Sequence, residues 1–347
     1  MNVLRSVIRN GQIAAYSQMV IPGQANALKP LANHKRDSEA DNPIVNDDRD
    51  ISNPLSAPTH LHNISPILPP SFSLAAFVNK SELLKQLINL GVSIHQWDKM
   101  TKKQISSWIL KMDFTKDVQP TIQFLVNKGV DIDLVGKLLT KNPEILKESI
   151  EDLEVRTNYL LSKKFTAEMI SKIYSRNPFW LLYSTEEIDK RLGFFQQLFK
   201  LTGNQLRLVA TKEPRLMNTT PQQIKLMNFG FQEEMGFEVA QIKSLLIAKP
   251  KLWIMNKNIL VDRFDYLHNV VKMDHATILQ FPAVLTCREF RIRQRHEFLQ
   301  HMNRAQYDPK LPQYVSPLDL IRYTDSHFAA NIAKTTVAEF NDFLKTL

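Results

Sequence analysis

Cysteine is nearly absent. The 347 residues hold one, Cys287, so no internal disulfide can form and a secreted, disulfide-framed domain is excluded. Its expected role is that of a small buried hydrophobe. No run of about 20 apolar residues occurs, which excludes a membrane-spanning helix. The longest uncharged stretch, 51–79, is broken by Pro54, Pro58, Pro66, Pro69 and Pro70. The nine glycines never fall two apart, so the chain has neither a dinucleotide-binding fingerprint nor a phosphate-binding P-loop, and no G-x-S-x-G elbow occurs. His296 and His301 resemble part of a zinc-protease motif, but histidines five apart lie on different faces of a helix and cannot share a metal. The expectation is a protein that is not an enzyme and needs no cofactor or metal.

The start of the chain lacks acid but not base. Residues 1–36 contain no aspartate or glutamate, yet carry Arg5, Arg9, Lys29, Lys35 and Arg36. That composition is of the organelle transit-peptide type, the plainer reading being a frayed basic N-terminus. Composition alone fits plastid delivery as well, and Arg5 and Arg9 in a helical context favour mitochondria, and so the mitochondrial matrix. From Asp37 the chain turns to mixed charge and then to proline and serine. It offers too little periodic apolar surface to offset the entropy of ordering, so 37–79 is expected to be a disordered linker. The formal net charge of +9, with a pI near 9.4, favours a polyanionic partner. Five of those nine charges sit in 1–36, so a binding surface in the remaining chain must come from clustering of cations rather than from bulk charge.

What the chain has in abundance is a repeated phrase. Five copies run Asn142-Pro143-Glu144-Ile145-Leu146, Asn177-Pro178-Phe179-Trp180-Leu181, Glu213-Pro214-Arg215-Leu216-Met217, Lys249-Pro250-Lys251-Leu252-Trp253 and Phe281-Pro282-Ala283-Val284-Leu285. Successive prolines are 35, 36, 36 and 32 residues apart. Ten residues after each proline stands Leu153, Ile188, Ile224, Leu260 or Ile292, and seventeen after stands Leu160, Phe195, Phe231, Leu267 or Leu299. A fixed period of this length marks stacked supersecondary units that share one continuous core. An imperfect earlier copy has Trp108 where proline would sit, as expected of a degenerate end repeat.

Helix starts are well marked. Ser184-x-x-Glu187, Thr202-x-x-Gln205, Thr101-x-x-Gln104 and Thr220-x-x-Gln223 read as capping boxes, the last with Pro221 at the first helical position. Each repeat therefore holds two helices, one from about six to twenty residues after the proline and a second ending just before the next. The proline ends that second helix, because it lacks an N–H and disfavours α geometry in the residue before it. The apolar pair behind it is expected to form a tight, 3₁₀-like turn. Strand signals are absent. The fold class is all-α, a curved solenoid over 80–347 built of helix–turn–helix repeats each closed by a proline turn. Past Leu285 the chain is arginine-rich, then passes a loop with Pro309, Pro312 and Pro317 to a last helix, Phe340 to Leu347, capped by Thr336-x-x-Glu339.

Thirteen residues after the proline, four copies carry Arg156, Arg191, Arg263 and Arg295, and the third carries Met227. By 100° per residue this position lies about 60° to the side of the apolar stripe. Two readings stand open. The arginines form a ladder of phosphate contacts, since a guanidinium matches phosphate oxygens bidentately. Alternatively they do a job that every unit needs, such as binding carbonyls of a neighbouring helix. A second set of candidates varies from copy to copy, as a groove shaped to one ligand would: Lys141, Arg176, Lys212, Arg215, Lys249 and Lys251 near the turns, then Arg288, Arg291, Arg293 and Arg304. Aromatics at plus sixteen, Tyr159, Phe194, Tyr266 and Phe298, are at the right spacing either for the core or for stacking on unpaired bases.

The proline, the apolar residues at plus three, ten and seventeen, and the period near 35 together resemble the mitochondrial transcription termination factor (mTERF) family. The resemblance covers about 80–347, and the tail from Asn331 to Leu347 looks most like its third animal subfamily. It implies a mitochondrial solenoid that binds double-stranded mitochondrial DNA or ribosomal RNA along a basic concave groove. It implies further a negative regulator of transcription, with ribosome assembly as the alternative and transcription or ribosome-assembly proteins as partners. A monomer that binds no membrane is expected. From a different class, a helical array of this kind is also suited to binding a protein segment. Met227 at the arginine position and Trp108 at the first proline depart from the family pattern.

Overall fold

The computed structural model describes residues 73–100 and 105–347. The expected transit peptide, most of the expected linker and the Thr101 capping box lie outside the described residues. No strand occurs among the described residues. The chain divides into two compact units that meet in sequence at Gln119 and Pro120.

Among the described residues of the first unit, helical structure is present from Leu74, inside the stretch read from composition as linker. Leu74–Lys80 forms a 3₁₀ helix with Leu74 buried. The Ser73 hydroxyl and the Leu74 N–H both donate to the Asp98 carboxylate, at 3.0 and 3.1 Å. Leu74 is buried, as are Leu84, Leu87 and Trp97 of the same unit, and no periodic signal in the sequence marks a single such residue. Helix Glu82–Asn89 follows, with Ser81 accepting from the Leu84 N–H. Gly91 (φ +88°) takes the left-handed turn that stops it.

The second unit is the repeat array. Each proline phrase is a short 3₁₀ helix, Pro143–Lys147, Pro178–Leu182, Pro214–Asn218 and Pro250–Ile254. In the fifth copy the turn is Val284–Thr286. The residue before the proline has a φ near −140° in the first four copies and of −123° in the fifth, off the helix, as the proline ring demands. The two bulky residues of every turn are buried, and so is every residue at plus ten and plus seventeen. Fully burying a side chain of this size stabilises by about 1.5–3 kcal/mol. Successive turns pack on one another, so they form a spine from which the helices radiate.

Six residues past each proline stands the N-cap of the first helix: Ser149, Ser184, Thr220 and Asn256 accept backbone N–H bonds there. Ser184 and Thr202 sit in full capping boxes, whereas Thr220 accepts from the Gln223 N–H without the return bond. The first helices are Ile150–Ser162, Thr185–Phe199, Pro221–Phe229, Lys257–Asp265 and Glu289–His301, the third and fourth continuing into wider turns, Gly230–Glu234 and Tyr266–Val270. The second helices Ile132–Lys141, Ala167–Arg176, Gly203–Lys212 and Val239–Ala248 have 10 residues each, but His275–Gln280 has 6. The short proline interval of 32 residues is thus the loss of about one helical turn, which leaves Ile278 on the buried face.

The array does not end at the fifth copy. Pro317–Leu320 is a further 3₁₀ turn, opened by a Ser316–Asp319 capping box, with Pro317 and Leu320 buried. It stands 35 residues after Pro282 and packs on the turn before it. The stretch that reads as a proline-punctuated loop therefore contains a sixth spine turn. The last helix is Val337–Leu344, starting directly after its Thr336 cap rather than at Phe340.

Candidate nucleic-acid interface

The arginines at plus thirteen share one geometry. Each reaches from its first helix to the spine turn of the next repeat and donates to the carbonyl of the residue three past that proline. Arg156 Nη1 donates to Leu181 O, Arg191 Nη1 to Met217 O at 2.6 Å, and Arg263 Nη1 to Leu285 O at 3.1 Å. Arg295 extends the series into the sixth turn, donating to Leu320 O at 3.3 Å and Arg322 O at 2.5 Å. Its Nη2 donates to Tyr323 O at 3.0 Å and to the Asp325 carboxylate at 2.7 Å. Burial pushes the Arg295 guanidinium pKa down, and Asp325 works against that.

This geometry engages the four arginines in joining repeats. Arg295 is 0% exposed, so its reading as a phosphate contact is corrected: no ligand reaches it in the folded chain. Arg156, Arg191 and Arg263 are half-buried; Arg156 also pairs with Glu148 at 2.6 Å, and Arg191 lies over the Tyr183 ring at 4.3 Å. The aromatics at plus sixteen are likewise committed. Phe298 and Tyr266 are buried, Phe194 packs edge-on to Phe195, and the Tyr159 hydroxyl donates to Asp189.

The cations that vary between copies stay at the surface. Lys141, Arg176 and Lys212 are the last residues of three successive second helices, all exposed, where positive charge complements the carbonyl ends. They form a row, because Arg176 Nη1 donates to Lys212 O at 3.1 Å and Lys212 Nζ to Ile247 O at 2.8 Å. Lys251 and Arg215 stand exposed on their turns, Lys249 is half-buried beside Pro250, and Arg215 pairs with Glu213 at 2.7 Å. Arg288 is exposed at the N-cap of Glu289–His301, where the other first helices place serine, threonine or asparagine, and it makes no side-chain cap. Arg291 is partly exposed and donates to Tyr323 O. Arg293 is exposed, 2.9 Å from Glu289, and lies over the Tyr266 ring. Cys287, half-buried beside this cluster, has its thiol pKa pushed up by burial.

His296 and His301 part as their spacing requires. His296 is buried with Nδ1 2.8 Å from the Tyr307 hydroxyl, while the His301 ring packs on Phe343. Among the described residues no group of three or more His, Cys, Asp or Glu side chains could hold a metal ion.

A repeat of this spacing, with a proline spine and arginine rungs, matches the family model for mTERF over residues 77–329. The chain belongs to the mTERF family. It is 44% identical over 277 residues to "Transcription termination factor 3, mitochondrial" of Drosophila melanogaster, covering 80% of this chain and 78% of that protein. It is 36% identical over 283 residues to the proteins of the same name from Rattus norvegicus and Mus musculus, covering 82% of this chain and 69% and 68% of theirs. The match begins close to Leu74, where the described fold begins, and an all-α repeat array is what this mTERF chain forms. Two features of it escape a reading by residue type. Arginines at an identical offset in four of the five copies tie repeats together, which the constancy of the offset itself signals. The sixth turn was marked by Pro317 standing one period after Pro282, with Leu320 three residues on.

Proposed function

We infer that this mTERF protein is a mitochondrial nucleic-acid-binding regulator of organelle transcription, acting in the matrix as a monomer and lowering transcription from mitochondrial DNA. The relatives named as mitochondrial transcription termination factors support the setting, and the acid-free segment 1–36 agrees with import. The observation that carries the reading is the row of exposed cations at one place in successive repeats, Lys141, Arg176 and Lys212. Lys251, Arg215, Arg288, Arg291 and Arg293 extend the set, and Arg156, Arg191 and Arg263 hold the units that present it. Contacts of this kind hold a phosphate backbone in a basic groove and supply affinity without reading bases.

The test measures binding of duplex DNA and of structured RNA by fluorescence anisotropy between 50 and 200 mM salt, on the order of the range where phosphate contacts are lost. Steep weakening is expected, with Lys141→Ala, Lys251→Ala and Arg288→Ala each reducing the salt slope by about 1. A flat salt response would instead favour an apolar groove for a protein segment. Sequencing nucleic acid cross-linked to the chain in intact mitochondria then separates DNA from ribosomal RNA. Recovery of ribosomal RNA alone would move the function to ribosome assembly.

A further inference from the structure

One rung of the arginine ladder is missing. In the Pro214 repeat the plus-thirteen position is Met227, 1% exposed, and the carbonyl it would have met belongs to Trp253. The asparagine ties are missing there too. Asn142 donates to Pro178 O at 3.0 Å and Asn177 to Pro214 O at 2.9 Å, but the next residue in that series, Glu213, pairs with Arg215 inside its own turn. Trp180 Nε1 also donates to Pro214 O, at 2.9 Å, whereas the buried Trp253 Nε1 has no hydrogen-bond partner.

What does cross the junction is of other kinds. At the start of the second helix His275 Nε2 lies 2.8 Å from Met235 O, and at the start of the first helix, three residues past the spine turn, Lys257 pairs with Glu234. The Pro214 and Pro250 turns also pack directly on one another, and Trp253 packs against Phe231 with ring centroids 4.7 Å apart. Apolar packing resists separation but fixes no direction, unlike a guanidinium fork on a carbonyl.

We propose that the junction between the Pro214 and Pro250 repeats is the joint of the array. It flexes more readily than the arginine-tied junctions on either side, because no guanidinium fork fixes its angle. This goes beyond the reading of the chain as a nucleic-acid binder and does not depend on it.

Two amides report the joint directly. The Leu216 N–H donates to Glu213 O at 3.0 Å and the Leu252 N–H to Lys249 O at 3.1 Å, and both residues are 0% exposed, so local structure gives them equal protection. Hydrogen exchange of the full chain, read by mass spectrometry and corrected for intrinsic rates, is expected to run about tenfold faster at Leu252, the factor that one charge-assisted hydrogen bond supplies. Arg191→Met removes the rung to the Pro214 turn, and exchange at Leu216 should then rise about tenfold, to the level of Leu252. Met227→Arg, if it folds, should slow Leu252 to the rate of Leu216. Equal or slower exchange at Leu252 in the unaltered chain would overturn the joint. So would Arg191→Met leaving Leu216 unchanged, since the rung would then not be what holds a junction shut.

Discussion

Arg295 differs from its three counterparts in how completely it is enclosed, and the difference sets what its loss does. It donates to the carbonyls of Leu320, Arg322 and Tyr323 and to Asp325, with the Phe328 ring 4.6 Å from the guanidinium carbon. Arg295→Met should lower stability by about 3 kcal/mol in urea unfolding, because several buried carbonyls lose a charged donor at once. Arg288→Met, at an exposed site without a partner side chain, should stay within about 0.5 kcal/mol. His296 gives the residue scale its pH dependence. Burial pushes its pKa from 6.5 down to about 4. As pH falls through 6.5 the unfolded chain takes up a proton that the folded chain refuses until about 4, so stability falls across that window, by up to about 3 kcal/mol. A His296→Gln variant should show a flatter stability profile between those pH values, measured by the same urea titration. Nothing in the sequence distinguishes these positions by residue type. Arg295 and Arg293 are two apart on one helix, and only the three-dimensional placement of the sixth turn buries the first and exposes the second.

At the scale of the element, the shortened helix His275–Gln280 tests the claim that the repeats tolerate change only in whole turns. Inserting four residues after Thr277 adds about one turn and returns Ile278 to nearly the same face. Inserting two rotates Ile278 by about 200° and drives it to the surface. Thermal melts followed by circular dichroism should place the four-residue insertion within a few degrees of the unaltered chain and the two-residue insertion well below it. Helix starts were readable because a cap needs a particular oxygen at a particular place: Ser184, Thr202 and Thr336 fulfil it as written. The proline turns were readable because proline removes a donor and fixes its own φ. The wide turns at Gly230–Glu234 and Tyr266–Val270 carry no such mark, since helical periodicity looks the same for either hydrogen-bond pattern over a single turn.

On the scale of the whole molecule, the repeat period specifies the architecture, whereas the role of the repeated arginine depends on what lies one repeat away. Offsets within a copy show which side chains recur, and only stacking shows that plus thirteen of one copy meets plus three of the next. Stability in such an array is a sum of unit and neighbour terms. Arg156→Met and Arg295→Met lie at junctions with no shared partner, so their effects should add to within about 0.5 kcal/mol in the double variant, by denaturant titration. The rungs also share one sense. Arg156, Arg191, Arg263 and Arg295 all donate toward the C-terminal neighbour and none toward the N-terminal one. An array with such polarity has two unlike ends, one offering acceptors and the other donors. Duplicating or deleting an interior unit leaves every donor facing an acceptor, but adding a unit beyond Arg295 requires displacing the segment from Pro317 to Asp325 that already terminates the series. Units can therefore be added or removed inside the array more readily than beyond its last rung.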